Sequence, residues 1–201
     1  MLLFFVHSGK FVVVSSSTVT THCHHCLFFV LDGSLTTTRI RYNTDMTNKT
    51  NLTFRLATRA DLSDIVRMLA DDALGAEREA YQDPLPASYD AAFTAIDADP
   101  NQHLIVACLG EKIVGTLQLT FIPGLSYQGG WRALLESVRI DAPYRNRGFG
   151  KQLVSHAIAQ SQARGCYLVQ LATNKQRHDA RRFYEQLGFQ ASHEGMKRFL
   201  S

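Results

Sequence analysis

Val138-Arg139-Ile140-Asp141-Ala142-Pro143-Tyr144-Arg145-Asn146-Arg147-Gly148-Phe149-Gly150-Lys151 is the stretch that decides the fold of this chain. Val138 and Ile140 alternate with polar neighbours, as a half-buried strand does. Pro143 ends that strand, because proline has no N–H to give to a sheet ladder. Gly148 and Gly150 let the backbone bend tightly and leave no side chain between its N–H groups and a ligand. Leu153, Val154, Ala157 and Ile158 then recur at helical spacing. A turn rich in free N–H groups that opens a helix is a binding site for phosphate. The side chains of Arg145, Arg147 and Lys151 add charge for the same anion.

Two common phosphate patterns fail here. In G-x-x-x-x-G-K-[ST] the first glycine would fall at Arg145, and Gln152 replaces the hydroxyl residue. In G-x-G-x-x-G the third glycine would fall at Leu153. What remains is Arg145-x-x-Gly148-x-Gly150. This resembles the (Q/R)-x-x-G-x-(G/A) signature of the GCN5-related N-acetyltransferases (GNAT), which bind the pyrophosphate of acetyl-CoA. A surface turn carrying a solvated basic cluster is the competing explanation.

The chain has 201 residues and suits one domain with an appendage. A net charge of +3 is too weak to argue for nucleic acid as a partner. The four cysteines, Cys23, Cys26, Cys108 and Cys166, make no disulfide framework, and two lie in apolar strand-like runs. Residues 1–45 differ from the rest. They contain apolar runs, Ser/Thr runs and the cluster His22-Cys23-His24-His25-Cys26. No window reaches the ~18 unbroken apolar residues of a membrane span, and no clean signal-peptide pattern is present. The His/Cys spacing matches no closed four-ligand site, so no metal is expected. We read 1–45 as a non-native or disordered N-terminal extension, with an anchoring or targeting role as the alternative. Residues 46–201 form the domain, which we expect to be cytoplasmic.

From Leu52 the pattern is regular. Leu52, Phe54 and Leu56 alternate as a strand, and Thr58 or Asp61 caps a helix bearing Leu62, Ile65, Val66 and Leu69. Residues 75–88 read as loop. A helix over 88–98 would bury Ala91, Ala92, Phe93 and Ile96. Strands are expected at 103–109, 113–122, 131–141 and 167–172, helices from about 150 to 164 and at 179–187, and a closing hairpin at 189–191 and 196–200. The order β-α-α-β-β-β-α-β-α-β-β resembles the acetyltransferase topology over residues 52–201. The resemblance therefore implies an α/β (α+β) GNAT fold, a mixed and mostly antiparallel twisted sheet flanked by about four helices.

A second signature ends in Ala180-Arg181-Arg182-Phe183-Tyr184-Glu185-Gln186-Leu187-Gly188-Phe189 and is similar to the family's A-x-x-F-Y-E-x-x-G-F. Carried over, the resemblance implies several roles. The backbone of Val138, Arg139 and Ile140 would pair with the pantetheine arm, and the Val138 N–H would polarise the thioester carbonyl. The segment Arg145, Asn146, Arg147, Gly148, Phe149, Gly150 and Lys151 would hold the pyrophosphate. Tyr184 would protonate the leaving thiolate. The family often has Asn seven positions before this tyrosine; here that residue is Arg177, and Asn174 is the candidate cofactor contact instead. An attacking amine must lose a proton, so a general base is useful. Glu136 is our candidate, with pairing to Arg139 as the competing explanation. His178 reads as a solvated helix-start residue.

The implied reaction is transfer of the acetyl group of acetyl-CoA to a primary amine of a small molecule. Acetylation of protein N-termini or lysines, and a non-catalytic acetyl-CoA sensor, are the alternatives. Arg177-His178-Asp179-Ala180-x-Arg182-Phe183-Tyr184 with Ser192-His193-Glu194 is similar to the same region of aminoalkylphosphonate N-acetyltransferases. The acceptor loops are expected at about 74–89 and 123–131, with Glu77, Glu79, Tyr81, Asp83, Tyr127 and Trp131. Relatives are often dimers, which leaves a homodimer open.

Overall fold

The structure is a computed structural model; it describes the backbone of residues 2–7, 10–15, 30–31, 34–35 and 52–200, and side chains over 52–200. The chain divides into two compact units, Met1–Thr47 and Asn48–Ser201. In the first, β1 (Leu2–His7) pairs antiparallel with β2 (Lys10–Ser15), and β3 (Val30–Leu31) with β4 (Ser34–Leu35). The His22–Cys26 cluster lies outside the described residues.

The second unit runs β5 (Leu52–Leu56), α1 (Leu62–Ala70), α2 (Ala73–Ala76), α3 (Ala87–Ala98), β6 (Gln102–Leu109), β7 (Lys112–Pro123), the single turn α4 (Ser126–Gly129), β8 (Trp131–Ile140), α5 (Phe149–Ala163), β9 (Cys166–Leu171) and α6 (His178–Glu185). The five strands lie in sequence order, antiparallel except for the parallel pair β8–β9. Both faces are covered, which is why β6 is a continuous apolar run rather than an alternating one. Ile105 and Ala107 join a cluster with Phe149, Leu153, Val154 and Ala157 of α5. Val106 and Cys108 point the other way, to Ile65 and Met68 of α1 and Phe93 of α3.

Two features of β8 shape the site. First, β9 pairs with it only from Trp131 to Leu135, so among the described residues no strand lies beside 136–140 on that side. Second, Leu117 of β7 faces both Ser137 and Val138, because the register passes from Thr116–Arg139 to Gln118–Glu136. Ser137 takes up the extra residue at φ 53°. Such a bulge bends a strand and re-aims its groups.

The structure corrects two expectations. There is no closing hairpin: residues 189–200 form no strand. The Phe189 N–H is used in the cap of α6, donating to the Tyr184 carbonyl at 3.1 Å. Beyond it Met196, Phe199 and Leu200 are exposed. On α3 only Phe93 is buried and Ile96 is half-buried, while Ala91 and Ala92 face solvent. That helix meets the sheet along one narrow stripe, and alanines off the stripe have no neighbour to reach.

Candidate active site

The turn between β8 and α5 is braced from below by ion pairs. Asp141, whose side chain is 5% exposed, accepts from Arg67 of α1 at 2.9 Å and holds its carboxyl below the usual carboxylate range through that bond. Its own N–H donates to Val114 at 3.0 Å and its carbonyl accepts from Tyr144 at 2.8 Å. Arg145 donates through Nε to the Ile140 carbonyl at 2.9 Å and through Nη2 to Asp71 at 2.7 Å. The Arg145 side chain therefore braces the turn, where the sequence reading assigns its charge to the phosphate. Arg147 and Lys112 lie over the Tyr144 ring, at 5.4 and 5.3 Å.

Above these braces the backbone is open. Asn146 (φ 60°) and Gly148 (φ 77°) sit in the left-handed region, which turns successive N–H groups toward one side. Gly148 is the N-cap of α5. Among the described residues, no backbone oxygen accepts from the N–H groups of Asn146, Arg147, Gly148, Phe149, Gly150 or Lys151. A row of unpaired N–H groups at the positive end of a 15-residue helix is suited to a diphosphate. At Gly150 the turn lies close to α6: a Cβ there would stand 3.4 Å from the Phe183 ring.

That approach brings Tyr184 to the side of the turn. Its ring packs edge-on against Phe183 and Phe189, at 5.0 and 5.7 Å between centroids. Burial pushes its phenol above the ordinary value, and the guanidiniums of Arg139 and Arg177 pull it part of the way back. The hydroxyl therefore keeps its proton through neutral pH. Val138 and Ile140 are half-buried on the part of β8 that β9 does not pair. Glu136 is exposed, opposite Gln118. The bulge at Ser137 interrupts the strand alternation between Glu136 and Val138. Arg139 does not pair with Glu136; its partner is Asp72, at 3.6 Å.

Of the other candidates, Asn174 shapes the loop before α6, accepting from Gln176 N–H at 2.9 Å through Oδ1 and from Arg177 N–H at 2.9 Å through its carbonyl. His178 and Lys151 are exposed. Glu79 accepts from the Tyr89 hydroxyl at 3.1 Å, and Tyr127 stacks on Tyr167 at 4.7 Å. Trp131 opens β8 and Tyr127 lies in the turn before it, roughly 20 Å of strand from Val138, so the 123–131 loop is not brought to this centre. Sequence reasoning missed Asp71 and Asp72, which close the end of α1 on Arg145, Arg139 and Arg177. No spacing rule links them to partners so far along the chain.

Residues 67–189, more than half of the chain, match the acetyltransferase (GNAT) family. The chain belongs to that family. Among curated GNAT relatives it is 32% identical over 101 residues to an aminoalkylphosphonate N-acetyltransferase of Salmonella typhimurium, a match covering 50% of this chain and 65% of the relative. It is 34% identical over 86 residues to a glucosamine 6-phosphate N-acetyltransferase of Trypanosoma brucei brucei, covering 43% and 56% respectively. The matches thus span less than two thirds of either relative. A solved structure described as a transcriptional regulator from Bacillus halodurans C-125 is 57% identical, covers 75% of this chain and 100% of its own, and superposes with a TM-score of 0.73.

Proposed function

We propose that the protein is an acyltransferase that moves the acetyl group of acetyl-CoA to a primary amine of a small molecule, by direct attack within a ternary complex. The observation that carries this reading is the open turn. Six consecutive N–H groups, Asn146 to Lys151, face no backbone acceptor among the described residues, beside a strand edge that β9 leaves unpaired. The residues fit the cofactor: the turn would hold its diphosphate and the edge of Val138–Ile140 its pantetheine arm. Both curated relatives are named for amines that also carry phosphorus, which supports a small acceptor over a protein.

In this reading the amine nitrogen bonds to the thioester carbonyl carbon and the carbon–sulfur bond breaks. The Val138 N–H donates to the carbonyl oxygen as negative charge gathers there; such a donor is worth about 3 kcal/mol in other acyl-transfer enzymes. Glu136, directly or through water, takes the proton that the amine loses. Tyr184 supplies one to the departing sulfur, and its raised pKa keeps that proton available.

Titration calorimetry with CoA, and a thiol assay with acetyl-CoA, test the reading: micromolar CoA binding and release of free thiol from acetyl-CoA in the presence of amines are expected, and absence of CoA binding would end it. The description of the Bacillus halodurans structure favours a second reading, a sensor that binds acetyl-CoA without turnover. CoA binding with no thiol release from any amine would favour the sensor.

A further inference from the structure

Two guanidiniums, Arg139 and Arg177, and one carboxylate, Asp72, meet beside Tyr184. Arg177, at the N-cap of α6, donates through Nη2 to both oxygens of Asp72, at 2.8 and 2.7 Å. Asp72 also accepts from the Gly75 N–H at 2.7 Å. Arg139 reaches across from β8 to the same carboxylate at 3.6 Å, too long for a hydrogen bond. Arg78, on the loop after α2, is close enough that its charge is felt at Arg139. Arg139 and Arg177 against Asp72 leave one positive charge in excess, and Arg78 adds to the positive field from farther out.

Arg139 is poorly satisfied. Its side chain is only 14% exposed. One Nη1 N–H goes to the Val138 carbonyl at 3.0 Å, but the buried Nε has no hydrogen-bond partner among the described residues. A desolvated guanidinium with an unmatched N–H and two like charges nearby is costly. Burial and those neighbours push its pKa down despite Asp72. An incoming anion would relieve all three costs. The turn at Asn146–Lys151 already accounts for a diphosphate, so this cluster is free for the other substrate.

We propose that Arg139 and Arg177, with Arg78 at the mouth and Asp72 holding the pair in place, form the subsite for an anionic group on the acceptor, and that this group is a phosphonate or phosphate monoester. The proposal rests on the acetyl-transfer reading and names its substrate class. Two guanidiniums arriving from different elements suit a tetrahedral oxyanion, and their excess of positive charge, reinforced by the field of Arg78, favours a dianion. A carboxylate would satisfy one fork and leave half the charge. The anion would sit beside Tyr184 and Val138, so an amine a few atoms away would reach the carbonyl carbon.

The test uses the full chain and three acceptors of similar size: 2-aminoethylphosphonate, 3-aminopropanoate and propylamine. The proposal expects kcat/KM in that order, with the phosphonate at least roughly 100-fold above propylamine. Arg177→Gln should collapse that ratio by roughly 100-fold, and Arg78→Gln, at an exposed position, by several-fold, with CoA affinity retained. Methylphosphonate should bind the wild type in calorimetry and lose binding in Arg177→Gln. Equal kcat/KM for phosphonate and propylamine would overturn the subsite while leaving acetyl transfer intact, and so would a ratio unmoved by both variants. Preference for the carboxylate would overturn the dianion assignment. If methylphosphonate bound through Arg177 but CoA did not bind at all, the subsite would stand and the acetyl-transfer reading would fall.

Discussion

Asp61 anchors the first turn of the domain, and its contribution can be worked out from its contacts. The side chain is 9% exposed. Oδ2 accepts from Arg55 Nη1 at 2.6 Å, from the Thr58 N–H at 2.7 Å and from the Thr58 hydroxyl at 3.0 Å, while Oδ1 accepts from Arg55 Nη2 at 3.0 Å. The bond from Arg55, aided by those from Thr58 against the cost of burial, takes the carboxyl from 3.8 to about 2. Nearly two units correspond to about 2 kcal/mol of folding free energy. The folded pKa is depressed, so this stability is present above pH ~4 and lost as the pH falls toward ~2. Asp61→Asn keeps the cap acceptor and removes the charge. Urea unfolding at pH 7 should show a loss of about 2 kcal/mol, and the gap between variant and wild type should close progressively below pH ~4. A gap constant from pH 7 to pH 3 would show that the charge on Asp61 does not stabilise the fold, and would refute the argument. The effect bears on the site because α1, which this cap starts, carries Arg67 and ends at Asp71 and Asp72.

Tyr184→Phe should lower kcat by roughly 100-fold or more with unchanged CoA affinity. Because the phenol pKa is raised, the wild-type rate should fall only above pH ~10, and this limb should be missing in the variant; stopped-flow thiol release across pH reads both, and an unaltered kcat would remove Tyr184 from the reaction. Glu136→Gln should reduce kcat while the CoA dissociation constant stays the same, and equal rates would reassign the base. At Gly148, φ 77° suits glycine or asparagine. Gly148→Val should cost ~1–2 kcal/mol of strain and, by displacing the amides, weaken CoA by roughly tenfold or more, whereas Gly148→Asn should bind nearly as wild type. Calorimetry compares the two, and equal affinity would mean that the left-handed turn does not shape the cradle.

What the sequence determined by itself was local. A strand, a turn and a helix follow from Val138 to Lys151 because alternation, proline and glycine act through neighbours only a few residues apart. The helices at 62–70, 149–163 and 178–185 were legible for the same reason: an apolar stripe repeats every three or four residues wherever the chain lies. The tertiary structure decided the rest. The bulge at Ser137, and the point where β9 leaves β8, depend on which strands meet and in what register. The side chain of Arg145 was read as a phosphate ligand because its charge is visible in sequence and its partner Asp71 is not. Arg177 and Asp72 are 105 residues apart, and no periodicity connects them; only the packing of α1 and α6 around the end of β8 brings them together. The final hairpin failed for the opposite reason. Its residues carry strand propensity, but a strand needs a partner edge, and here the Phe189 N–H is already held by Tyr184.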